Sequence, residues 1–151
     1  MHKEHVFQIR QLQAKDLSLF KDLISLFAEV FEEKSGTAPS TQLEAMLSKS
    51  EFVAMVIMCK GKIAGGLTAY ELPMYQRMGS ELFLYDIAVL PAFQRLGLGR
   101  QLLSALRDYC RSKGIPDFFV AADESDTHAL DFYRAAGGLP ARVVHFSGFV
   151  S

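Results

Sequence analysis

Cysteine is scarce in this chain: its 151 residues hold only Cys59 and Cys110. Two thiols so far apart cannot form a metal-ligand cluster. Cys59 ends an apolar stretch and Cys110 falls within a helical pattern, so both read as small buried hydrophobes. The patterns H-E-x-x-H, C-x-x-C and G-x-S-x-G are missing, which leaves metal and serine-hydrolase chemistry without support. An excess of one charge is missing as well. Sixteen Lys and Arg face 17 Asp and Glu, a net charge of −1, which argues against binding nucleic acid by bulk electrostatics. Long hydrophobic runs are lacking too: the best, residues 52–59, has the length of a strand, not of a membrane span. Met1-His2-Lys3-Glu4-His5 is polar and lacks the apolar core of a secretory signal, so the cytoplasm is the expected location.

What is present describes a globular chain. Half of the residues are hydrophobic and 22% are charged, a balance unlike that of disordered segments. A chain of this length fits one domain, residues 1–151, and buries about two-thirds of its unfolded surface. Repeats, linkers and low-complexity stretches are absent from the sequence.

Val6, Ile9 and Leu12 mark a first strand or its exit. Asp16 is placed to cap a helix with Leu17, Phe20, Leu23, Ile24, Phe27 and Phe31 on one face, and Gly36 suits its stop. Thr41 and Glu44 match a capping box for a short helix carrying Leu43, Met46 and Leu47. Residues 52–59 and 62–72 flank Lys60-Gly61, the pattern of a hairpin. A loop over 73–80 leads to a strand over 81–90, and a long helix over 98–113 ends at Gly114 and Pro116. A strand over 118–122, a helix with Ala129, Leu130, Phe132 and Tyr133 closed by Gly137-Gly138, and a last strand over 142–149 complete the series. The order β, α, α, β, β, β, α, β, α, β implies a mixed sheet with helices on both faces.

Gln94-Arg95-Leu96-Gly97-Leu98-Gly99-Arg100 lies where the 81–90 strand hands over to the long helix. Strand, glycine loop and helix in this order aim free backbone N–H groups and the positive end of a helix dipole at one point, where an anion is held. Gly97 and Gly99 let the backbone approach closely, and Arg95 and Arg100 can add charge-assisted bonds to phosphate oxygens. A purely structural turn is the alternative. Neither the nucleoside triphosphate nor the dinucleotide fingerprint is matched.

Charge is sorted along the chain. Residues 94–113 carry Arg95, Arg100, Arg107, Arg111 and Lys113 against Asp108 alone, and Arg107 and Arg111 suit a solvated helix face. Residues 117–131 carry Asp117, Asp123, Glu124, Asp126 and Asp131 with no Lys or Arg. Asp123, Glu124 and Asp126 follow a strand at its carboxyl end, where open α/β sheets place ligands. Asp126 equally suits the N-cap of the next helix. Asp86 is the odd residue, a carboxylate amid Phe83, Leu84, Tyr85, Ile87, Ala88 and Val89. Buried and unpaired it would be costly, so it faces a wet cleft or meets a donor or cation. Glu71 lies at the end of the hairpin's second strand.

Gln94-x-x-Gly97-x-Gly99 matches the pyrophosphate segment Q/R-x-x-G-x-G/A of the GNAT N-acetyltransferase superfamily, and the order of elements agrees with it. More specific segments are Gly65-Gly66-Leu67-Thr68-Ala69-Tyr70-Glu71-Leu72-Pro73, Tyr85-Asp86-Ile87-Ala88-Val89, Ala122-Asp123, then Asp126, Ala129, Tyr133 and His145-Phe146. Through these, residues 52–146 resemble the aminoglycoside 3-N-acetyltransferase branch. The resemblance implies the GNAT acyltransferase fold, of α/β (α+β) class, with its two parallel strands, here 81–90 and 118–122, splayed around the cofactor.

It further implies transfer of acetyl from acetyl-CoA, without a metal, to the 3-amino group of the 2-deoxystreptamine ring of drugs such as gentamicin. The outcome would be antibiotic resistance. Ile87, Ala88 and Val89 would meet the pantetheine arm and Gln94 to Arg100 the pyrophosphate, with Ala129 and Tyr133 also at the cofactor. Glu71, Tyr85, Asp86, Asp123, Glu124 and Asp126 would line the acceptor pocket. An attacking amine must lose its proton, for which Asp86 and Glu71 are both candidates, and a backbone N–H would serve the developing oxyanion. Tyr133 would protonate the leaving thiolate; a core aromatic is its alternative reading. Family patterns carry an aromatic residue at Glu124, an acidic one at Thr127 and a proline at His128, so the drug spectrum is open. His128 reads as a solvent-facing residue of the first helical turn.

Acidic pockets also suit polyamines, and a lysine or N-terminal amine of a protein is a further acceptor class. A non-catalytic acyl-CoA sensor is the reading outside enzymology. Superfamily members often dimerise, which makes the apolar segment 143–150 a candidate homodimer interface.

Overall fold

The computed structural model describes residues 6–34 and 36–151. Met1 to His5, and with them the polar N-terminal stretch noted above, lie outside the described residues, as does Ser35. Two compact units divide the chain, Met1–Ala121 and Ala122–Ser151.

The first unit is a five-stranded mixed sheet flanked by helices, an α/β arrangement. Its strands are β1 (Phe7–Gln11), β2 (Phe52–Cys59), β3 (Lys62–Pro73), β4 (Ser80–Val89) and β5 (Phe118–Val120), lying side by side in that order. The first four pair antiparallel; β5 joins β4 in parallel. Lys60 and Gly61, both at positive φ (51° and 77°), make the tight β2–β3 turn, whose twist suits antiparallel strands. The helices are α1 (Leu17–Phe31), α2 (Ser40–Leu47) and α3 (Leu98–Lys113).

Strand β2 is apolar at consecutive positions because both of its faces are covered. Phe52, Ala54 and Val56 join Phe20, Leu23, Leu26 and Phe27 of α1 and Leu43 and Leu47 of α2 in one buried cluster. Val53, Met55 and Ile57 point the other way and are equally buried, on the side of α3, which packs against β2, β3 and β4 through Leu102, Leu103 and Leu106. The expected helices on both faces are therefore present. None of the described helices is long and apolar enough to cross a membrane. Cys59 and Cys110 are free and buried, as their apolar settings imply.

Several local expectations need correction. Asp16 stands before α1 but makes no capping bond. Buried, it accepts instead from the Arg10 guanidinium and the Gln13 N–H, donors brought to it by the 3-10 turn Ala14–Asp16. Helix α1 ends not at Gly36 but at Glu32, a left-handed residue (φ 53°) whose N–H bonds back to the last turn. Thr41 and Glu44 form no capping box, because α2 begins two residues earlier, at Ser40, with Pro39 at its N-cap. Strand β5 is shorter than expected. Residues 142–149 form no strand: they have no partner strand, and Gly148 at φ 89° interrupts the extended run.

Gly66 sets how closely α1 meets the sheet. A Cβ there would lie 2.6 Å from the Met55 carbonyl oxygen and inside the Leu23 side chain. Gly66→Ala is expected to destabilise the fold by about 1–3 kcal/mol through overpacking, read as a lower midpoint in urea unfolding.

Candidate active site

One irregularity in β4 builds the site. Opposite residues of β3 and β4 share a sheet face, and the pairs Glu71–Leu82 and Ala69–Leu84 lie on the α3 side. The next pair is Thr68–Asp86, so Tyr85 is an extra residue with no partner on β3. This bulge inverts the alternation. Leu82 and Leu84 are fully buried toward α3, whereas Asp86 and Ala88 turn to the α1 side, Ala88 joining the α1–α2 cluster. Tyr85 and Asp86, adjacent in sequence, consequently line the same cavity.

That cavity holds about 450 Å³. Phe20, Ile24, Phe27, Ala28 and Phe31 of α1 form one wall, Leu43 and Met46 of α2 another, and Phe52, Thr68, Tyr70, Tyr85 and Asp86 the sheet side. Glu33, just past α1, is the second carboxylate at the rim. The Tyr70 ring meets Phe52 at 5.3 Å and Tyr85 at 5.5 Å between centroids. Burial raises the Asp86 carboxyl above its ordinary 3.8, and the negative charge of Glu33 adds to the rise. The Tyr70 phenol is also raised, by burial first and then by Tyr85 and Asp86. An aromatic-walled cavity with two carboxylates is built for a cation that also offers apolar surface.

Glu71 is not in this cavity. Its carboxylate accepts from the Tyr109 hydroxyl of α3 at 3.3 Å and from Ser80 Oγ at 3.4 Å, on the opposite sheet face. Burial and the adjacent Glu71 push the Tyr109 phenol up to about 12. Of the two candidate proton acceptors, geometry puts Asp86 alone against the cavity. Glu33, Tyr70 and the aromatic wall of α1 were not singled out by sequence. The α1 residues follow a helical stripe that reads as ordinary core, and Glu33 reads as a helix terminus.

Beyond Leu84, β4 has no partner on its β5 side, since only Leu82, Phe83 and Leu84 pair with Phe118, Phe119 and Val120. The strands part there, leaving one edge of Tyr85 to Val89 without a neighbouring strand. The turn Pro91–Phe93 follows, and Gln94 Nε2 donates to the Val89 carbonyl at 3.0 Å, tying the glycine loop to the strand end. Arg95 (φ 67°) and Gly97 (φ 77°) bend the chain into α3. The first helical bond there runs from the Gln101 N–H to the Gly97 carbonyl, so the N–H groups of Leu98, Gly99 and Arg100 have no partner within the helix. These donors with Arg95 and Arg100 fit a pyrophosphate chemically, and the open strand edge beside Ile87, Ala88 and Val89 fits an amide-bearing arm.

The remaining candidates lie in the second unit, where α4 (Thr127–Ala135) is the only helix among the described residues. Asp126 caps it, accepting from the Ala129 N–H at 3.1 Å. Asp123 accepts from the Ser125 hydroxyl and N–H, bonds that lower its proton affinity, the side-chain bond most. Glu124 and His128 are exposed. Tyr133 packs edge-on to Phe132, and its carbonyl accepts from the Gly138 N–H that closes the helix.

Comparison with known proteins agrees with this geometry. A model of the Acetyltransferase (GNAT) family matches residues 20–137. An aminoglycoside acetyltransferase from an uncultured soil metagenomic sample, solved with sisomicin and with trehalose, is 37% identical; the match covers 96% of this chain and 97% of that one at a TM-score of 0.91. The aminoglycoside N-acetyltransferase AAC(6')-Iy, solved with CoA, shares the fold at 20% identity, with 99% of both chains covered and a TM-score of 0.82. The ribosomal protein bS18-alanine N-acetyltransferase of Salmonella typhimurium is 39% identical over 57 residues, 38% of each chain.

The raised Asp86 carboxyl has a consequence for stability. The folded state holds this proton more tightly than the unfolded chain, so ionising Asp86 opposes folding as pH climbs from 3.8 through the raised value. Asp86→Asn removes that opposition. At pH 7 the variant is expected to unfold at the same or a higher temperature than wild type, and any gain should vanish as the pH falls to about 4, a trend followed by thermal melts across pH.

Proposed function

The chain belongs to the GNAT acetyltransferase family, and on that footing we propose that it transfers acetyl from acetyl-CoA to an aminoglycoside, at the 3-amino group of its 2-deoxystreptamine ring. The likeness that carries the acceptor is the soil relative with sisomicin, 37% identical over nearly the whole chain. Its trehalose complex adds a second sugar ligand for that protein. The aromatic cavity with Asp86 and Glu33 supports the same reading, being suited to amino-sugars. The 3-amino position rests on the resemblance through Tyr85-Asp86-Ile87-Ala88-Val89 and its companion segments. Because the family match crosses from the first unit into the second, we read residues 1–151 as one N-acetyltransferase domain.

Bound acetyl-CoA supplies an activated thioester. The chain's own residues hold, orient and deprotonate. Leu98, Gly99 and Arg100 N–H groups, with the Arg95 and Arg100 side chains, bind the pyrophosphate, and the unpartnered edge of β4 aligns the pantetheine arm and offers an N–H to the carbonyl oxygen. Asp86 takes the ammonium proton at a carboxylate oxygen, being the one of the two candidate carboxylates that lines the cavity. Tyr133, by resemblance, gives its hydroxyl proton to the departing sulfur. Glu33 and the cavity rings steady the acceptor's other ammonium groups. Acetylation removes a positive charge from the drug, the basis for a role in resistance. A homodimer that covers the exposed Val143, Val144, Phe146 and Phe149 belongs to the same reading.

The bS18-alanine N-acetyltransferase match favours one other acceptor, the N-terminal amine of a protein. Thiol release from acetyl-CoA with sisomicin, spermidine and an Ala-initiated peptide compares the classes directly. Sisomicin is expected to be preferred, with two-dimensional NMR of the product placing acetyl on the 3-amino nitrogen; preference for the peptide overturns the drug reading, and acetyl on another nitrogen overturns the position. In the same assay Asp86→Asn should lower kcat by about 10²–10⁴-fold, while Glu71→Ala should keep near wild-type turnover and lose about 1 kcal/mol of stability with the Tyr109 bond.

A further inference from the structure

The cavity is not where the aromatic surface ends. Phe83 pairs with Tyr70 across β3–β4 and therefore shares the cavity's sheet face. Its ring lies 5.7 Å from Tyr85, edge to face, and 5.0 Å from Phe119 of β5, the two planes only 5° apart. A continuous row of rings thus runs from Tyr70 beside Asp86 to Phe119 at the last strand of the sheet. Such rings would ordinarily be core. Here Tyr85 is 56% exposed and Phe119, with one face on Phe83, is 46% exposed.

An exposed aromatic row leading out of a cavity with two carboxylates is matched by one chemistry: linked sugar rings that carry ammonium groups. The carboxylates take the charges, and flat C–H faces of sugar rings pack on aromatic faces. The ring-to-ring steps are comparable to the spacing of neighbouring rings in an oligosaccharide. A linear polyamine has no face to lay on Phe119, and Phe119 stands two ring-to-ring steps, 5.7 and 5.0 Å, from the Tyr85 ring beside Asp86.

We propose that Phe119, stacked on Phe83, is an outer acceptor subsite that packs a sugar ring of the acceptor beyond the ring bearing the reacting amine. This inference rests on the amino-sugar reading above. It makes the outer strand β5 a determinant of how many rings the preferred acceptor has, separately from the charge recognition at Asp86 and Glu33.

The test compares sisomicin with free 2-deoxystreptamine on wild type, Phe119→Leu, Phe119→Ala and Phe119→Tyr. The readout is KM, or the inhibition constant for any acceptor that is bound but not acetylated. Phe119→Leu keeps apolar volume but loses the flat ring, and guards against a loosened β5 in Phe119→Ala. KM for sisomicin is expected to rise roughly tenfold in the Leu and Ala variants, with kcat unchanged, and to return to the wild-type value in Phe119→Tyr. The constant for 2-deoxystreptamine should stay within twofold throughout. Equal rises for both acceptors, or a rise for neither, overturn the subsite and leave the acetyltransferase reading standing. If wild type acetylates no multi-ring amino-sugar, both fall together.

Discussion

The β-bulge at Tyr85 is the constraint on which the rest of the site depends. With strict alternation, Asp86 would follow Leu82 and Leu84 onto the α3 face, beside Leu67 and Ala69, all fully buried. An ionised carboxylate there would be desolvated with no partner, a cost large enough to unfold a domain of this size. The extra residue moves Asp86 to the other face and brings Tyr85 with it. One backbone insertion therefore rescues the core and furnishes the cavity with both a carboxylate and an aromatic side chain.

The cavity itself follows from how α1 is seated. Gly66 allows Leu23 to lie against the sheet, and that contact anchors the helix midway along its length. Phe20, Phe27 and Phe31 flank the anchor and span the space over Thr68 and Tyr70 with large rings. Phe31 keeps 39% of its surface exposed, and Phe27 and Phe31 stack at 5.7 Å. Tight packing at one point and wide rings around it leave a wall that is apolar yet accessible. At the far end of β4, Gln94 bonds back to Val89, so the glycine loop before α3 is fixed to the strand that carries Asp86.

Much of the scaffold was legible in the sequence because its signals are local. Lys60-Gly61 between apolar runs specified the hairpin, and Gly97 with the leucines of α3 specified the glycine loop and helix. Asp86 stood out because a charge in an apolar strand demands an explanation. What stayed hidden depends on partners distant in the chain. No pattern in residues 80–89 announces a bulge, since it is a mismatch in length between two strands and not a property of either one. Glu71 and Asp86 could not be separated for that reason; their opposite faces follow from the register. Asp16 chose Arg10 over the helix cap, and residues 142–149 lacked a strand to pair with, choices that only the folded neighbourhood decides.

The electrostatics of the cavity couple acceptor binding to the state of the base. Burial and the neighbouring Glu33 both favour a proton on Asp86. An ammonium group entering beside them opposes both effects, since its charge stabilises the ionised carboxylate that burial disfavours and neutralises the repulsion from Glu33. By linkage, the ionised carboxylate binds the cation more tightly than the protonated one, and the cation lowers the carboxyl's proton affinity by the same free energy. A polycation therefore promotes the ionisation of Asp86. One ammonium near Glu33 relieves the like-charge strain, while a second beside Asp86 favours its ionised form. A monoamine can supply only one of these charges, so the two carboxylates together suit a cation with several amines better than a simple one.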